Sequence, residues 1–341
     1  MRLRILLILG FVTELALAGA AAPAEPGCKL VQAEEWPVRI ANNKLIVDGA
    51  INGEKVGVLV DTGASRTLIF RPAATRLGLD RRRSRSYPML GVGGTTDVET
   101  AVIDELRIGD ATRRGLRMMV VGEQDPGDGV AVLLGEDFLR RFDVEFDLAH
   151  GAVRLFVPTG CDGASLAYWT TGKANEVAIE PMNEAAPKII VMVRIDGQPL
   201  RALLDSGAGA SMLEKSAADR LGVTPTTPGV VLAGSSAGLG HQRVDLWIGT
   251  FRSVDIGGES IPDAKILFGD LWAGASYTPI GSHIATRMGG EQSMLLGADF
   301  LRAHRLLVAH SQQKIYFTYA AGPVFPQRGP AESGNAPAGP R

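Results

Sequence analysis

The chain is 341 residues long, enough for two domains that each bury a core of their own. Its 45% hydrophobic content with only 6% aromatics fits a globular protein built on aliphatic side chains. A formal charge of −2 argues neither for a nucleic-acid partner nor for an acidic substrate.

Residues 1–24 have the layout of an export signal. Arg2 and Arg4 precede an apolar run from Ile5 to Val12, and small residues continue through Ala24. Ala18-Gly19-Ala20 and Ala22-Pro23-Ala24 both fit a small-x-small cleavage site, and Glu14 interrupts the run before it reaches membrane-spanning length. The expectation is a periplasmic or secreted protein with no stable membrane span after processing, tethered to the membrane only if the signal stays uncleaved. Glu25-Pro26 is the wrong approach for lipidation of Cys28. An oxidising compartment would let Cys28 pair with Cys161 across the two ends of the first half; the alternative is two unrelated thiols.

From Lys44 onward the chain is written twice. At an offset of 144 residues, "KLIVDGAINGEKVGVLVDTGASRTLIFRPAATRLGL" lies over "KIIVMVRIDGQPLRALLDSGAGASMLEKSAADRLGV", bringing Asp61 onto Asp205. A second block repeats at an offset of 162, "LLGEDFL" from Leu133 over "LLGADFL" from Leu295. Each copy reads as strands. Alternating "LIVDGAI" and "KVGVLV" flank the turn Asn52-Gly53, and the second copy turns at Asp196-Gly197. One short helical pattern follows each aspartate, "PAATRLGL" and "SAADRLGV", and then glycine-rich stretches, "MLGVGGTT" and "LAGSSAGLGH". The closing strands are "VEFDLAHGAVRLFV" and "LLVAHSQQKIYFTYA", with one further strand at "NEVAIE" between the copies.

A carboxylate at the end of a buried strand is costly unless it is paired or serves chemistry. In "VLVDTGAS" the glycine permits a turn tight enough to leave backbone amides free for the carboxylate, and Thr62 or Ser206 supplies a hydroxyl that can lock the turn to a partner loop. Two such loops face to face would place Asp61 and Asp205 within hydrogen-bonding distance, where they share one proton. One member then takes a proton from water while the other donates to a carbonyl oxygen, with no metal, cofactor or covalent intermediate required.

The duplicated Asp61-Thr62-Gly63-Ala64 and Asp205-Ser206-Gly207-Ala208, each followed by Leu-Leu-Gly, resembles the retropepsin-like aspartic proteases, bacterial relatives of the retroviral enzymes, with both halves fused in one chain as in pepsin-like enzymes. The resemblance covers nearly all of 40–160 and 185–320. It implies an all-β fold of two homologous β-barrel lobes about a pseudo-twofold axis, with one short helix per lobe. The expected organisation is a signal peptide at 1–24, an N-terminal lobe at 28–160, a connection at 161–186, a C-terminal lobe at 187–320 and a disordered tail at 321–341. The implied activity is that of an exported, monomeric aspartic endopeptidase acting on peptide or protein substrates, with Asp61 and Asp205 catalytic and Thr62, Gly63, Ser206 and Gly207 supporting them. The alternative is a module of the same fold that binds extended peptides without cutting them. The resemblance also implies two flaps, one around Tyr87 to Thr95 with Gly91, Gly93 and Gly94 at its tip, and one around Val231 to Gly240 that includes Gly234 and Ser235.

Other signals are set aside. "GSSAG" (Gly234 to Gly238) matches a serine-nucleophile pattern but no helix follows it. His150, His241, His283, His304 and His310 lack metal-binding spacing, and His304 and His310 are expected on the surface of the last hairpin. "RRRSR" from Arg81 reads as a solvated loop.

Overall fold

A computed structural model describes residues 27–84, 88–240, 242–277, 286–287 and 292–325. The expected leader and residues 326–341 of the expected tail lie outside them. Within the described start of that tail, Val324 and Phe325 are buried against the core, so disorder does not extend to them. No helix among the described residues is long and apolar enough to cross a membrane.

A long strand, β1 (Lys29–Ala41), leads into the hairpin β2 (Lys44–Ile51) and β3 (Glu54–Val60). Its two-residue turn holds Asn52 at φ 51° and Gly53 at φ 87°, the left-handed pair whose twist matches that of the flanking strands. Next come β4 (Leu68–Phe70), helix α1 (Arg71–Arg76), β5 (Arg81–Arg83), the small hairpin β6 (Met89–Gly91) with β7 (Gly94–Thr96), and the ribbon β8 (Glu99–Ile108) with β9 (Ala111–Val121). Strand β10 (Val130–Leu134), buried at every residue, then runs parallel to β3 and antiparallel to β4. Helix α2 (Glu136–Leu139) ends this part. Hydrogen bonding passes through β2-β3-β10-β4-β9-β8 and returns from β8 to β2, closing a six-stranded barrel.

The chain then forms β11 (Asp143–Asp147), β12 (Ala152–Thr159) and, after the connection, β13 (Asn175–Ala178). The second lobe repeats the first. It comprises β14 (Ile190–Ile195), β15 (Gln198–Leu204), β16 (Met212–Glu214), α3 (Lys215–Arg220), β17 (Val231–Ser236), β18 (Val244–Ile256), β19 (Glu259–Gly269), the short β20 (Ser276–Tyr277) and β21 (Thr286–Arg287), β22 (Met294–Leu296) and α4 (Ala298–Ala303). Its ring is β14-β15-β22-β16-β19-β18, closed from β18 to β14, and its first hairpin again turns through a left-handed pair, Asp196 and Gly197. Each lobe therefore carries two short helices rather than the one expected. Helix α2, at four residues, is too short to display a helical period in sequence.

The closing hairpins leave the barrels. Strands β23 (His304–Ala309) and β24 (Lys314–Tyr319) pair with strands from the first half in the order β13-β24-β23-β11-β12-β1, and β1 carries this joint sheet into the first barrel through its pairing with β2. All five residues of β11 are buried, so the strand needs neighbours on both edges and cover on both faces. One apolar cluster runs through both barrels and the sheet, including Leu59, Leu133, Phe146, Leu204, Phe268 and Phe317. Cys28 and Cys161 form a disulfide just beyond the Lys29–Thr159 end of the β1–β12 pair.

Candidate active site

Strands β3 and β15 end on the two aspartates. The Asp61 N–H donates to the Leu134 carbonyl (3.0 Å) and the Asp205 N–H to that of Leu296 (2.9 Å), the last bonds before each chain turns. Within the turn, Oδ1 of Asp61 accepts the N–H groups of Gly63 (2.9 Å) and Ala64 (3.1 Å), and Oδ1 of Asp205 accepts those of Gly207 (3.0 Å) and Ala208 (2.9 Å). The hydroxyls then cross between lobes. Thr62 Oγ1 donates to the Leu204 carbonyl (2.8 Å) and accepts the Ser206 N–H (3.0 Å); Ser206 Oγ donates to the Val60 carbonyl (2.8 Å) and accepts the Thr62 N–H (3.0 Å). Four cross-lobe bonds thus fix one turn against the other, and both hydroxyl residues are fully buried.

The glycines set the approach. A methyl group at Gly63 would collide with the Asp205 carboxyl, and one at Gly207 with the Asp61 carboxyl, so each turn passes directly beside the other lobe's acid. Burial pushes both carboxyls above the ordinary carboxylate value. For Asp61 the rise is large, with the charge of Asp205 and the hydrogen bond to it adding to burial, against the pull of the Gly63 and Ala64 amides. For Asp205 the Ala208 amide, the hydrogen bond to Asp61 and the Gly207 amide oppose burial. Both carboxyls therefore hold a proton more tightly than an exposed carboxylate does. The two groups titrate as one unit, as an acid beside a base.

Behind each turn runs the Leu-Leu-Gly strand. Gly135 packs onto the backbone of Ala64 and Arg66, and Gly297 onto that of Ala210 and Ser211, too closely for any side chain. Beyond the glycine, the Glu136 N–H donates to the Ala64 carbonyl and the Ala298 N–H to that of Ala208, both at 2.8 Å. The aspartate two residues after each glycine completes the brace. Asp137 Oδ1 accepts the N–H (2.8 Å) and hydroxyl (2.7 Å) of Thr67, and Asp299 accepts the N–H (2.9 Å) and hydroxyl (2.6 Å) of Ser211. Sequence reasoning used the Leu-Leu-Gly repeat and missed this partner set. The signal was present, since Thr67 and Ser211 share the 144-residue offset and Asp137 and Asp299 the 162-residue offset.

The sequence profile described as Aspartyl protease matches residues 47–138 and 191–300, more than half of the chain. The chain belongs to the aspartyl protease family. A curated protein similar to part of this aspartyl protease chain is the UBA domain-containing protein Mud1 of Schizosaccharomyces pombe, 33% identical over 113 residues, which are 33% of this chain and 32% of Mud1. The chain thus aligns with about a third of the length of that relative. Among solved structures, the aspartic proteinase from Irpex lacteus is similar with a TM-score of 0.49 at 14% identity, over 84% of this chain and 97% of that one.

This aspartyl protease chain also brings two hairpins together, one from each lobe. The β6–β7 turn, Val92-Gly93, meets the segment after β17: the Gly240 N–H donates to the Val92 carbonyl (3.1 Å) and the Gln242 N–H to that of Gly93 (2.9 Å). The Gly93 N–H also donates to the Leu271 carbonyl (3.2 Å) in the loop following β19. Gly91, Gly93 and Gly94 sit at this junction, whereas Gly234 and Ser235 do not. They lie exposed along the outer strand β17, where Ser235 accepts a bond from Arg243 (2.9 Å), and the contact with the first hairpin falls on Gly238, Leu239, Gly240 and Gln242. Tyr87, at the expected start of the first flap, lies outside the described residues, as do His241 and His283.

Ser236 ends a strand, not a strand-to-helix elbow, so "GSSAG" has no nucleophile geometry. Arg81 and Arg82 pair with Glu99 and Asp80 on the outside of the first barrel. His304 and His310 are not on the surface as expected. His304 is wholly buried with Nε2 against Glu259, and His310 is nearly so with Nε2 against Glu136; each glutamate comes from a distant part of the chain.

Proposed function

We propose that this chain is an exported aspartic endopeptidase in which Asp61 and Asp205 activate a water molecule for attack on a peptide bond. The observation that carries this reading is the buried pair itself: two carboxyls from mirrored turns, locked by four cross-lobe hydrogen bonds, with both affinities for protons raised. With one proton between them, the ionised member accepts a proton from water while the protonated member donates to the carbonyl oxygen of the scissile amide. The tetrahedral intermediate then collapses as the proton taken from water passes to the leaving nitrogen. Thr62 and Ser206 keep the two acids at fixed separation, and the amides of Gly63, Ala64, Gly207 and Ala208 hold their inner oxygens so that the outer ones face the substrate. An extended peptide lies beneath the two joined hairpins, which exclude water from the reaction. Because both aspartates come from one polypeptide, a monomer suffices. Export is supported by the basic-then-apolar layout of residues 1–24 and by the Cys28–Cys161 disulfide.

The test compares the purified mature chain with Asp61→Asn and Asp205→Asn on a peptide library from acidic to neutral pH. Cleavage by the parent that falls at least about a thousandfold in both variants is the expected result, in line with loss of the whole acid–base pair. Equal cleavage in all three proteins would remove the dyad from the mechanism.

A further inference from the structure

The repeated segment "LLGEDFL" and "LLGADFL" differs at one position, Glu136 in the first lobe and Ala298 in the second. Both residues make the same backbone bond to the dyad turn, to the carbonyls of Ala64 and Ala208. That bond needs no carboxylate, as Ala298 demonstrates. Glu136 nonetheless buries its side chain completely, leaving Oε1 without a partner and giving Oε2 to Nε2 of His310 at 3.0 Å. The other ring nitrogen of His310, Nδ1, faces the Phe142 carbonyl at 2.7 Å. Both ring nitrogens thus meet acceptors. Only the doubly protonated imidazolium satisfies them with Glu136 ionised.

We propose that the His310–Glu136 ion pair is a positioning device for the Asp61 turn, present in the first lobe only, which makes the competence of the dyad depend on the proton held by His310. This rests on the aspartic peptidase reading above. The route is short: His310 holds the Glu136 side chain, the Glu136 N–H holds the Ala64 carbonyl, and the Ala64 N–H holds Oδ1 of Asp61 at 3.1 Å. When the ring loses its proton, one nitrogen must turn a lone pair toward an acceptor, and a buried carboxylate is left with no donor. Helix α2 then gives way, and the turn it supports goes with it.

The charged groups facing His310 are Glu136 from α2 and Asp143 from β11, whose carboxylate is held by the N–H (2.9 Å) and hydroxyl (2.7 Å) of Ser311. Burial alone would lower the affinity of the ring for its proton, but Glu136, the Phe142 carbonyl and Asp143 outweigh it and hold His310 above its ordinary value of 6.5. The contribution of the pair is therefore full below that value and is lost as pH rises through the higher folded one. The effect falls on the neutral side of the activity profile.

The dyad carboxyls, whose proton affinities are also raised, titrate as well, so the experiment must separate the two. Carboxyl carbon and imidazole nitrogen NMR titrations are run on the parent, on Glu136→Gln and on the double variant Glu136→Ala with His310→Leu, which replaces the pair by apolar groups. Peptide kinetics are measured alongside. The expected parent shows a second inflection in the Asp61 carboxyl signal that coincides with the titration of the His310 ring. Both variants lose that inflection, and kcat at the parent's optimum drops about threefold to tenfold with KM within about twofold, as for a displaced catalytic group. Asp61 titrations and pH–kcat profiles that superimpose in all three proteins would overturn the proposal. Should the double variant fail to fold, Glu136→Gln decides the question alone. If the parent cleaves nothing, the peptidase reading fails, and the NMR inflection still decides whether His310 and Asp61 are coupled.

Discussion

At the scale of single residues, a carboxyl that is buried beside another gains from holding a proton, and for Asp61 and Asp205 this dictates how stability moves with pH. Both have folded-state affinities above the unfolded value of 3.8. Between that value and the raised ones the folded chain binds more protons than the unfolded chain, so this contribution to stability declines as pH rises through the window. Asp143, Asp299 and His310 slope the same way, which makes the comparison with a variant the informative quantity. Asp205→Asn relieves the repulsion that opposes ionisation of Asp61, and its melting temperature should fall less than the parent's as pH rises from 3.8 through the raised Asp61 value. Thermal unfolding at a series of pH values checks this; parallel curves would mean that the two acids do not share a proton in the folded state. Asp61 and Asp205 were legible in sequence because each stands in an Asp-x-Gly turn that repeats in register. Glu136 and His310 were not, since their meeting joins positions 174 residues apart that no repeat relates.

At the scale of elements, the first hairpin of each lobe was legible because Asn52-Gly53 and Asp196-Gly197 announce a left-handed two-residue turn between alternating strands. The fate of the closing hairpins was not. Nothing in "VEFDLAH" says that Val144 to Asp147 will pair with β23 rather than complete its own barrel, because the choice depends on edges contributed by the other half. The Cys28–Cys161 bond fastens β1 to β12 at the rim of this joint sheet and closes a 133-residue loop. A loop of that length contributes at most roughly 4 to 5 kcal/mol through restriction of the unfolded chain. Replacing both cysteines by serine should therefore lower the melting temperature by up to about seven degrees. Peptide cleavage at 25 °C should persist, because the four cross-lobe bonds of the dyad turns do not involve β1 or β12. Calorimetry of the variant beside the parent, with a cleavage assay on each, measures both effects. Loss of cleavage at a temperature where the variant is still folded would show that the sheet rim controls the dyad.

At the scale of the whole molecule, the two barrels look interchangeable but the sheet that joins them does not. Strand β11 meets β23, with Asp147 opposite Arg305, and the Arg305 guanidinium reaches both Glu145 and Asp147, which are almost completely buried. Arg154 supplies the second positive charge, at 2.9 Å from Asp147. Burial would raise the proton affinity of Asp147, yet Arg154, His150 and Arg305 hold it below its ordinary value. Suppose the first half paired with a copy of itself. The dyad turns could still meet as Thr62 against Thr62, but β11 would lie against β11, bringing the Glu145 and Asp147 of one copy against those of the other with no Arg305 between them. Four buried carboxylates facing two Arg154 residues leave uncompensated charge in the interior. A fragment of residues 25–174 should therefore fail to form an active homodimer, whereas co-expression with 175–341 should restore both a single compact species and cleavage. Sedimentation velocity together with a peptide assay distinguishes the cases. An active dimer of the first fragment would mean that the joint sheet is dispensable and that the fusion of the halves carries no structural consequence.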